Sequence, residues 1–66
     1  MTITLNGEAK TLDSGTGLLD LMERYHLNPE ATAVQLNDDI LERESFGATC
    51  LSDGDCVELI RIVGGG

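Results

Sequence analysis

The three glycines that close the sequence, Gly64-Gly65-Gly66, have the type and spacing that most favour chemistry. A triglycine has no side chains to pack and the highest conformational entropy, so we expect residues 64–66 to form a flexible tail beyond a folded domain of residues 1–63. The carbonyl carbon of a glycine carboxylate has no Cβ beside it, which leaves it open to attack after activation. The pattern predicts a carrier whose Gly66 carboxylate reacts inside another enzyme, and an inert, frayed end is the alternative.

The other potentially reactive side chains favour structural roles. Cys50, Cys56 and the single His26 cannot provide four zinc ligands without carboxylates, and C-x5-C is not a zinc-finger spacing. We expect both cysteines to be small, buried packing residues with free thiols. We expect His26 to be a C-terminal helix residue, where the helix dipole favours it. Residues 53–55, Asp-Gly-Asp, are typical of a turn rather than of a metal site, so no metal and no intrinsic cofactor are predicted.

The composition describes one small acidic domain. The chain has 66 residues, of which twelve are acidic and four basic, and its formal net charge is -8. This charge repels phosphate groups, which argues against nucleic acids and anionic membranes and favours a basic pocket on another protein. No apolar segment approaches the ~20 residues of a transmembrane helix, and no signal peptide is recognisable, so we expect a cytoplasmic protein. A nucleophile, a base and an enclosed pocket do not fit together in so short a chain, so we expect it not to be an enzyme.

Residues 1–12 predict a hairpin. Residues 1–5 alternate apolar side chains with threonines, which is typical of a half-buried strand. Asn6-Gly7 favours a two-residue turn, because both central positions of a type I′ turn need positive φ angles. Residues 8–12 are therefore the expected second strand.

A helix follows the hairpin. Thr16 is the expected N-cap, and Asn28-Pro29 is the expected end, because the residue before a proline avoids the helical region. The helix is predicted to bury one face, which consists of Leu18, Leu19, Leu21, Met22 and Tyr25.

The second half predicts two short strands and one long strand. Residues 33–36 and Ile40-Leu41 flank a turn at residues 37–39, and residues 42–50 are expected to be irregular, with Phe46 as their anchor in the core. Residues 56–63 form the most apolar segment and predict a long strand in the middle of the sheet.

The alternation along this last strand indicates a docking surface. Val57 and Leu59 point one way, and Glu58, Ile60 and Ile62 point the other. Since Glu58 must be solvated, Ile60 and Ile62 are expected on a solvent-exposed face, where two isoleucines suggest a partner-binding site. The alternative is that residues 42–50 fold over them.

The order of the elements predicts the fold class. Two hairpin strands, a crossover helix, two short strands and a last strand that lies beside and parallel to the first form a β-grasp arrangement. We therefore predict an α+β fold, a β-grasp (ubiquitin-like) roll in which a mixed sheet of about four to five strands packs on one helix.

Over its whole length the chain resembles the ThiS family, the sulfur carrier proteins of thiamine biosynthesis. The specific part is the closing run at residues 53–66, DGDCVELIRIVGGG, and the similarity includes Asn6-Gly7-Glu8 and residues 18–22 and 33–37. Two positions depart from the family pattern. Asn37-Asp38 stands where the family often has Asn-Gly, and Leu41-Glu42-Arg43 stands where it favours Val-Pro-Arg.

The resemblance implies a mechanism and partners. A ThiF-like adenylating enzyme would activate the Gly66 carboxylate with ATP, and sulfur from a donor system such as a cysteine desulfurase would displace AMP to leave a thiocarboxylate. Thiazole synthase would accept that sulfur for the thiazole ring of thiamine. Gly64 and Gly65 would line the channel of the partner, and the chain would be a cosubstrate rather than an enzyme, with ATP used only by the partner.

Three other functions are alternatives. The small subunit of molybdopterin synthase resembles the same fold and uses the same thiocarboxylate chemistry, but it is usually longer and tends to have a proline shortly before its glycines, whereas this chain has only Pro29. A conjugating modifier would form an isopeptide bond through Gly66. A passive β-grasp interaction domain would not use its glycines at all.

Overall fold

The structure is a computed structural model that describes residues 1–63. These residues form five strands, one α-helix and two 3₁₀ helices. The strands are β1 (Thr2–Leu5), β2 (Glu8–Thr11), β3 (Thr32–Leu36), β4 (Asp39–Leu41) and β5 (Cys56–Arg61). The α-helix, α1, is Leu18–Arg24, and the first and second 3₁₀ helices are Pro29–Ala31 and Arg43–Ala48. None of the helices in residues 1–63 has the length and apolar character needed to cross a bilayer.

The sheet is mixed, and β5 lies at its centre. The strand order is β2-β1-β5-β3-β4. β5 runs parallel to β1 and antiparallel to β3. A parallel pair needs a long connection, and residues 6–55, which include β2, α1, β3 and β4, provide it. The predicted α+β β-grasp roll, with the last strand beside the first, is confirmed.

The hydrophobic core lies between α1 and one face of the sheet. Along β5, Val57 and Leu59 are buried and the residues between them are exposed, as predicted. Phe46 of the second 3₁₀ helix is 3% exposed, so its predicted role as an anchor is confirmed. The remaining core side chains are Ile3, Leu5, Leu12, Leu18, Leu21, Met22, Val34 and Leu51.

The prediction that Thr16 caps α1 is wrong, because Gly17 is the N-cap. The Thr16 hydroxyl donates instead to the backbone carbonyl of Asp13 (2.7 Å), within the preceding turn. The Gly17 N–H donates to the carboxylate of Asp20 (3.2 Å), three residues later. A carboxylate in the first turn also interacts favourably with the helix dipole.

The predicted end of α1 at Asn28-Pro29 is wrong as well, because the helix stops earlier. His26 adopts a left-handed conformation with φ +57°. The Leu27 N–H donates to the Met22 carbonyl (2.8 Å) and the His26 N–H donates to the Glu23 carbonyl (3.0 Å). This pair of bonds is the Schellman motif, which terminates the helix. His26 is therefore a residue of the terminating turn and not a helical residue.

α1 also buries fewer side chains than predicted. Leu18, Leu21 and Met22 are buried, whereas Leu19 is 41% and Tyr25 39% exposed. The helix has seven residues, about two turns, so it covers the sheet with one narrow stripe. The prediction that all five apolar residues are buried is wrong for Leu19 and Tyr25.

Two asparagines hold β5 from both sides. Asn6, in the β1–β2 turn, accepts a hydrogen bond from the Leu59 N–H (2.9 Å) and donates one to the Leu59 carbonyl (3.3 Å). Asn37, in the β3–β4 turn, accepts from the Cys56 N–H (2.9 Å) and donates to the Asp55 carboxylate (3.0 Å). The side-chain amides thus provide backbone partners to β5 where the neighbouring strands end.

The β3–β4 turn has type I′ geometry, although its second central residue is an aspartate rather than a glycine. Asn37 and Asp38 have φ angles of +50° and +72°, and Asn6 and Gly7 have φ angles of +49° and +84°. Positive φ at both central residues is the type I′ pattern. Asp38 therefore adopts the conformation that glycine favours in the family.

Candidate functional site at the end of the central strand

β5 directs the C-terminal segment away from one end of the sheet. The pairing with β3 continues one step beyond the strand, because the Ile62 N–H donates to the Ala31 carbonyl (2.8 Å). The strand predicted over residues 56–63 is therefore two residues too long. Val63 is 89% exposed. Residues 64–66 lie outside the described residues, so the reacting role of Gly66, the channel role of Gly64 and Gly65, and the division at residue 63 stay predictions.

Both isoleucines at the end of β5 are exposed, as predicted. Ile60 lies opposite Ala33 of β3 and is 53% exposed, and Ile62 is 50% exposed. The second 3₁₀ helix contacts α1 and puts Phe46 into the core, so it lies on the other side of the sheet from Ile60. Ile62 borders this segment in a shallow groove but stays half exposed. Residues 42–50 therefore do not cover the pair, and the partner-binding role stays a prediction.

Ile40 belongs to the same exposed face. It pairs with Gln35 of β3, which in turn lies opposite Glu58 of β5. Ile40 is 81% exposed. We call Ile40, Ile60 and Ile62 the open-face patch. The sequence places Ile40 in a strand without revealing its face, because so short a strand has too little alternation.

A groove of about 420 Å³ lies on the opposite, helix-facing side of the same strand end. Its lining includes Leu5, Tyr25, Leu27 and Leu59, together with the charged side chains of Glu8, Lys10 and Arg61. We call it the Arg61 groove. Lys10 forms an ion pair with Glu8 (Nζ to Oε2, 3.2 Å). Within residues 1–63, no carboxylate lies within 4.0 Å of the Arg61 guanidinium.

Lys10 and Arg61 are not among the site residues predicted from the sequence. The alternation along β5 is a signal for Arg61, because it places this residue on the face of Val57 and Leu59 rather than that of Ile60. No sequence signal brings Lys10 to the same place. Its position depends on the order β2-β1-β5, which exists only in the folded sheet.

The prediction that both cysteines are buried is wrong, because Cys50 and Cys56 are exposed free thiols. Cys56 opens β5 opposite Thr4 of β1, and the core position of that strand belongs to the next residue, Val57. Cys50 forms an isolated bridge with Gly17, just before the buried Leu51. In each case the following residue, rather than the cysteine, enters the core.

The two aspartates of the last turn have structural partners. Asp53 accepts a hydrogen bond from the Thr2 N–H (2.6 Å), and Asp55 accepts one from the Ser52 N–H (2.8 Å) as well as the bond from Asn37. Gly54 between them has φ +87°. In the part of the chain that the structure describes, no three His, Cys, Asp or Glu side chains are grouped to hold a metal ion.

The family model described as the ThiS family matches residues 3–66 of this chain. The sulfur carrier protein ThiS of Bacillus subtilis is 32% identical over 65 residues, which cover 97% of this chain and 98% of that protein. The thiazole synthase of Magnetococcus marinus is 36% identical over 66 residues, which cover 100% of this chain. Those residues are only 20% of that longer protein.

A solved structure agrees with the sequence relatives. The crystal structure of the thiamine biosynthesis protein (ThiS) from Geobacter metallireducens matches with a TM-score of 0.83 and 38% identity, over 100% of both chains. The match therefore includes the whole sheet, α1 and the connections between them. The resemblance predicted from residues 53–66 is confirmed, and this chain belongs to the ThiS family.

Proposed function

We propose that this chain is the sulfur carrier of thiamine biosynthesis and that it carries the sulfur as a thiocarboxylate on Gly66. The observation that supports this function is the family match, which extends through the three closing glycines. The fold fits the role, because the central strand is hydrogen-bonded up to Ile62 and leads the chain out of the sheet at Val63. The domain then serves as a rigid handle for the reacting end.

The chemistry requires a free α-carboxylate on Gly66. In the first step a carboxylate oxygen attacks the α-phosphorus of ATP, a mixed anhydride with AMP forms, and pyrophosphate leaves. This step is needed because a carboxylate is a poor electrophile. In the second step a sulfur nucleophile at the oxidation level of sulfide attacks the acyl carbon. The C–S bond forms as the C–O bond to AMP breaks, AMP leaves, and a thiocarboxylate remains.

The catalytic groups belong to partner proteins. A ThiF-like adenylating enzyme binds ATP, a sulfur donor system provides the sulfur, and thiazole synthase consumes it. The chain itself is a cosubstrate in the cytoplasm, not an enzyme, and it needs no cofactor of its own. The thiazole synthase of M. marinus contains a region similar to this entire chain, so a carrier-like domain and a synthase occur there in one polypeptide, which supports the synthase as the recipient.

The glycines and the open-face patch have different roles in this proposal. Gly64 and Gly65 occupy a narrow channel of the partner, where side chains would obstruct passage. The open-face patch docks on the surface beside that channel, because exposed isoleucines next to the reacting end gain the most from burial. The B. subtilis and G. metallireducens relatives, which match over nearly their full length, are both ThiS proteins, which favours the thiamine pathway over the molybdopterin pathway.

The test is the intact mass of the chain after incubation with a ThiF-like enzyme, ATP and sodium sulfide. We expect a gain equal to the replacement of one oxygen by one sulfur, which fragmentation assigns to Gly66. A chain without Gly65-Gly66 and a reaction without ATP are the controls. No gain, with the enzyme active on another carrier, would contradict the proposal and leave a binding domain. A gain only with a molybdopterin-pathway activator would assign the chain to that pathway.

The docking role of the open-face patch is tested with Ile60→Asp. We expect the Kd for the activating enzyme to rise about tenfold or more, because a buried apolar anchor is replaced by a charge. Leu19→Asp is the matched control, since Leu19 is 41% exposed and lies on the α1 side of the sheet. Equal Kd values for the two variants would show that the patch does not contact the enzyme.

A further inference from the structure

The positive charge of this acidic chain is unevenly distributed around the reacting end. Of its four basic residues, Arg43 donates to the backbone carbonyls of Pro29 and Glu30, and Arg24 lies in the last turn of α1. The other two, Lys10 and Arg61, both line the Arg61 groove. On a protein with a net charge of -8, this groove therefore carries two positive side chains, Arg61 at the end of β5 and Lys10 further back on β2.

The β1-facing edge of β5 has no neighbouring strand of residues 1–63 at Arg61. In an antiparallel pair, hydrogen-bonded and non-hydrogen-bonded residues alternate. Ile62 bonds to the β3 side, so the N–H and C=O of Arg61 face the β1 side. β1 ends at Leu5, and the last group that pairs with β5 on this side is the Asn6 side chain at Leu59. No strand of residues 1–63 continues beside Arg61.

We propose that the Arg61 groove binds an acidic, extended segment of the activating enzyme; this inference rests on the proposed function. Acidic side chains of that segment pair with Arg61 at one end of the groove and with Lys10 further along it, and the segment lies along the free edge of β5. Its neighbouring apolar side chain contacts Leu27 and Tyr25. The groove and the open-face patch then hold the two faces of one strand end, which fixes the orientation in which residues 64–66 enter the enzyme.

Charge complementarity selects this occupant. The enzyme surface that meets the acidic body of the carrier has to be mainly basic, and such a surface repels Lys10 and Arg61 in every wrong orientation. An acidic segment on the enzyme removes this repulsion in one orientation only. Glu8 does not block the site, because its ion pair with Lys10 is exposed and such pairs contribute little.

The experiment measures the Kd between the full chain and a ThiF-like activating enzyme for two pairs of variants. Arg61→Glu is compared with Arg24→Glu, which changes the net charge equally on α1. Glu8→Gln is compared with Glu23→Gln, which removes an exposed carboxylate away from the groove. Thermal melts verify that each variant is folded, and the mass assay for the thiocarboxylate is run in parallel.

We expect Arg61→Glu to raise the Kd about tenfold or more and Arg24→Glu to change it less than about threefold. Glu8→Gln is expected to lower the Kd about twofold to threefold, because it frees Lys10 from its ion pair and removes a negative charge that repels the acidic segment. Glu23→Gln is expected to leave the Kd unchanged. Equal effects within each pair, or weaker binding by Glu8→Gln, would overturn the groove proposal. If the Kd values of the variants follow the expected order but the unchanged chain forms no thiocarboxylate, the proposed function is overturned and the groove proposal stands. Absence of binding by the unchanged chain would overturn both.

Discussion

At the scale of single residues, left-handed backbone positions control the turns of this molecule. Four residues other than glycine have positive φ angles in the described chain, namely Asn6, His26, Asn37 and Asp38. Each stands at a point where the chain reverses: Asn6, Asn37 and Asp38 in the two type I′ turns, and His26 in the Schellman turn after α1. Asparagine, aspartate and histidine adopt this region more often than other non-glycine residues, but each is less favourable there than glycine.

Asp38→Gly is expected to stabilise the protein by about 0.5 kcal/mol. The glycine avoids the cost of φ +72° but loses more entropy on folding, so only part of the gain remains. Urea denaturation measures the change. Asp38→Asn is the control that removes the charge while keeping a side chain, and it separates electrostatics from backbone strain. A gain from Asp38→Asn as large as that from Asp38→Gly would show that charge repulsion, not the φ angle, is the cause.

Asn6→Gly is expected to destabilise the protein by about 1–2 kcal/mol, because it leaves the Leu59 N–H and carbonyl without their partner at a partly buried position. Glycine keeps the positive φ angle, so the change reports the side-chain bonds. Asn37→Gly is the matched comparison in the other turn, where the bonds are exposed and water replaces them. A loss at Asn37 equal to or greater than that at Asn6 would contradict this explanation.

At the scale of elements, α1 is short and its contribution is concentrated. Three of its seven residues, Leu18, Leu21 and Met22, provide its contact with the core. An isolated helix of this length is unstable in water, so packing against the sheet must maintain it. The Schellman turn ends α1 early and puts Leu27 against the core. Leu27 also forms one wall of the Arg61 groove.

Met22→Ala is expected to destabilise the protein by about 2–5 kcal/mol, since Met22 is 0% exposed and its loss leaves a cavity under the sheet. Leu19→Ala, on the same helix but 41% exposed, is expected to cost less than about 1 kcal/mol. Denaturation midpoints of the two variants measure the difference. Similar losses would contradict this explanation, because alanine has the highest helix propensity and the two positions differ mainly in burial.

At the scale of the whole molecule, the proposed function gives the folded domain and the C-terminal glycines separate roles. The core side chains all lie between Ile3 and Leu59. The elements around β5 instead present the open-face patch on one face and the Arg61 groove on the other. In the proposed function, partners recognise these two surfaces while the chemistry takes place at residue 66.

Deletion of Gly65-Gly66 is expected to shift the melting temperature by less than about 2 °C, because the core ends at Leu59. The same deletion is expected to abolish thiocarboxylate formation while preserving binding through the domain. Calorimetry and the mass assay, run on one preparation, measure both effects. A large fall in melting temperature would show that residues 65–66 pack on the domain, which contradicts the separation of roles.

Local patterns in the sequence suffice for most of the fold. Alternation along residues 1–5 and 56–61, the Asn6-Gly7 turn and the Asp-Gly-Asp turn at residues 53–55 each depend on short-range sterics and on burial with period two, so the strands and their faces follow from the residues alone. The family followed from the closing run of residues 53–66, and the exposure of Ile60 and Ile62 from alternation with Glu58.

Only the tertiary structure decided the features that depend on distant neighbours. Thr16 and Gly17 are both acceptable caps locally, and the backbone bonds of residues 16–18 to residues 49–51 fix the helix start with Gly17 as the N-cap. Cys50 and Cys56 are exposed because Leu51 and Val57 occupy the core positions. The Arg61 groove joins β2, β1, β5 and the end of α1, and such a site exists only after the sheet has paired, because the residues that line it range from Leu5 to Arg61, over most of the chain.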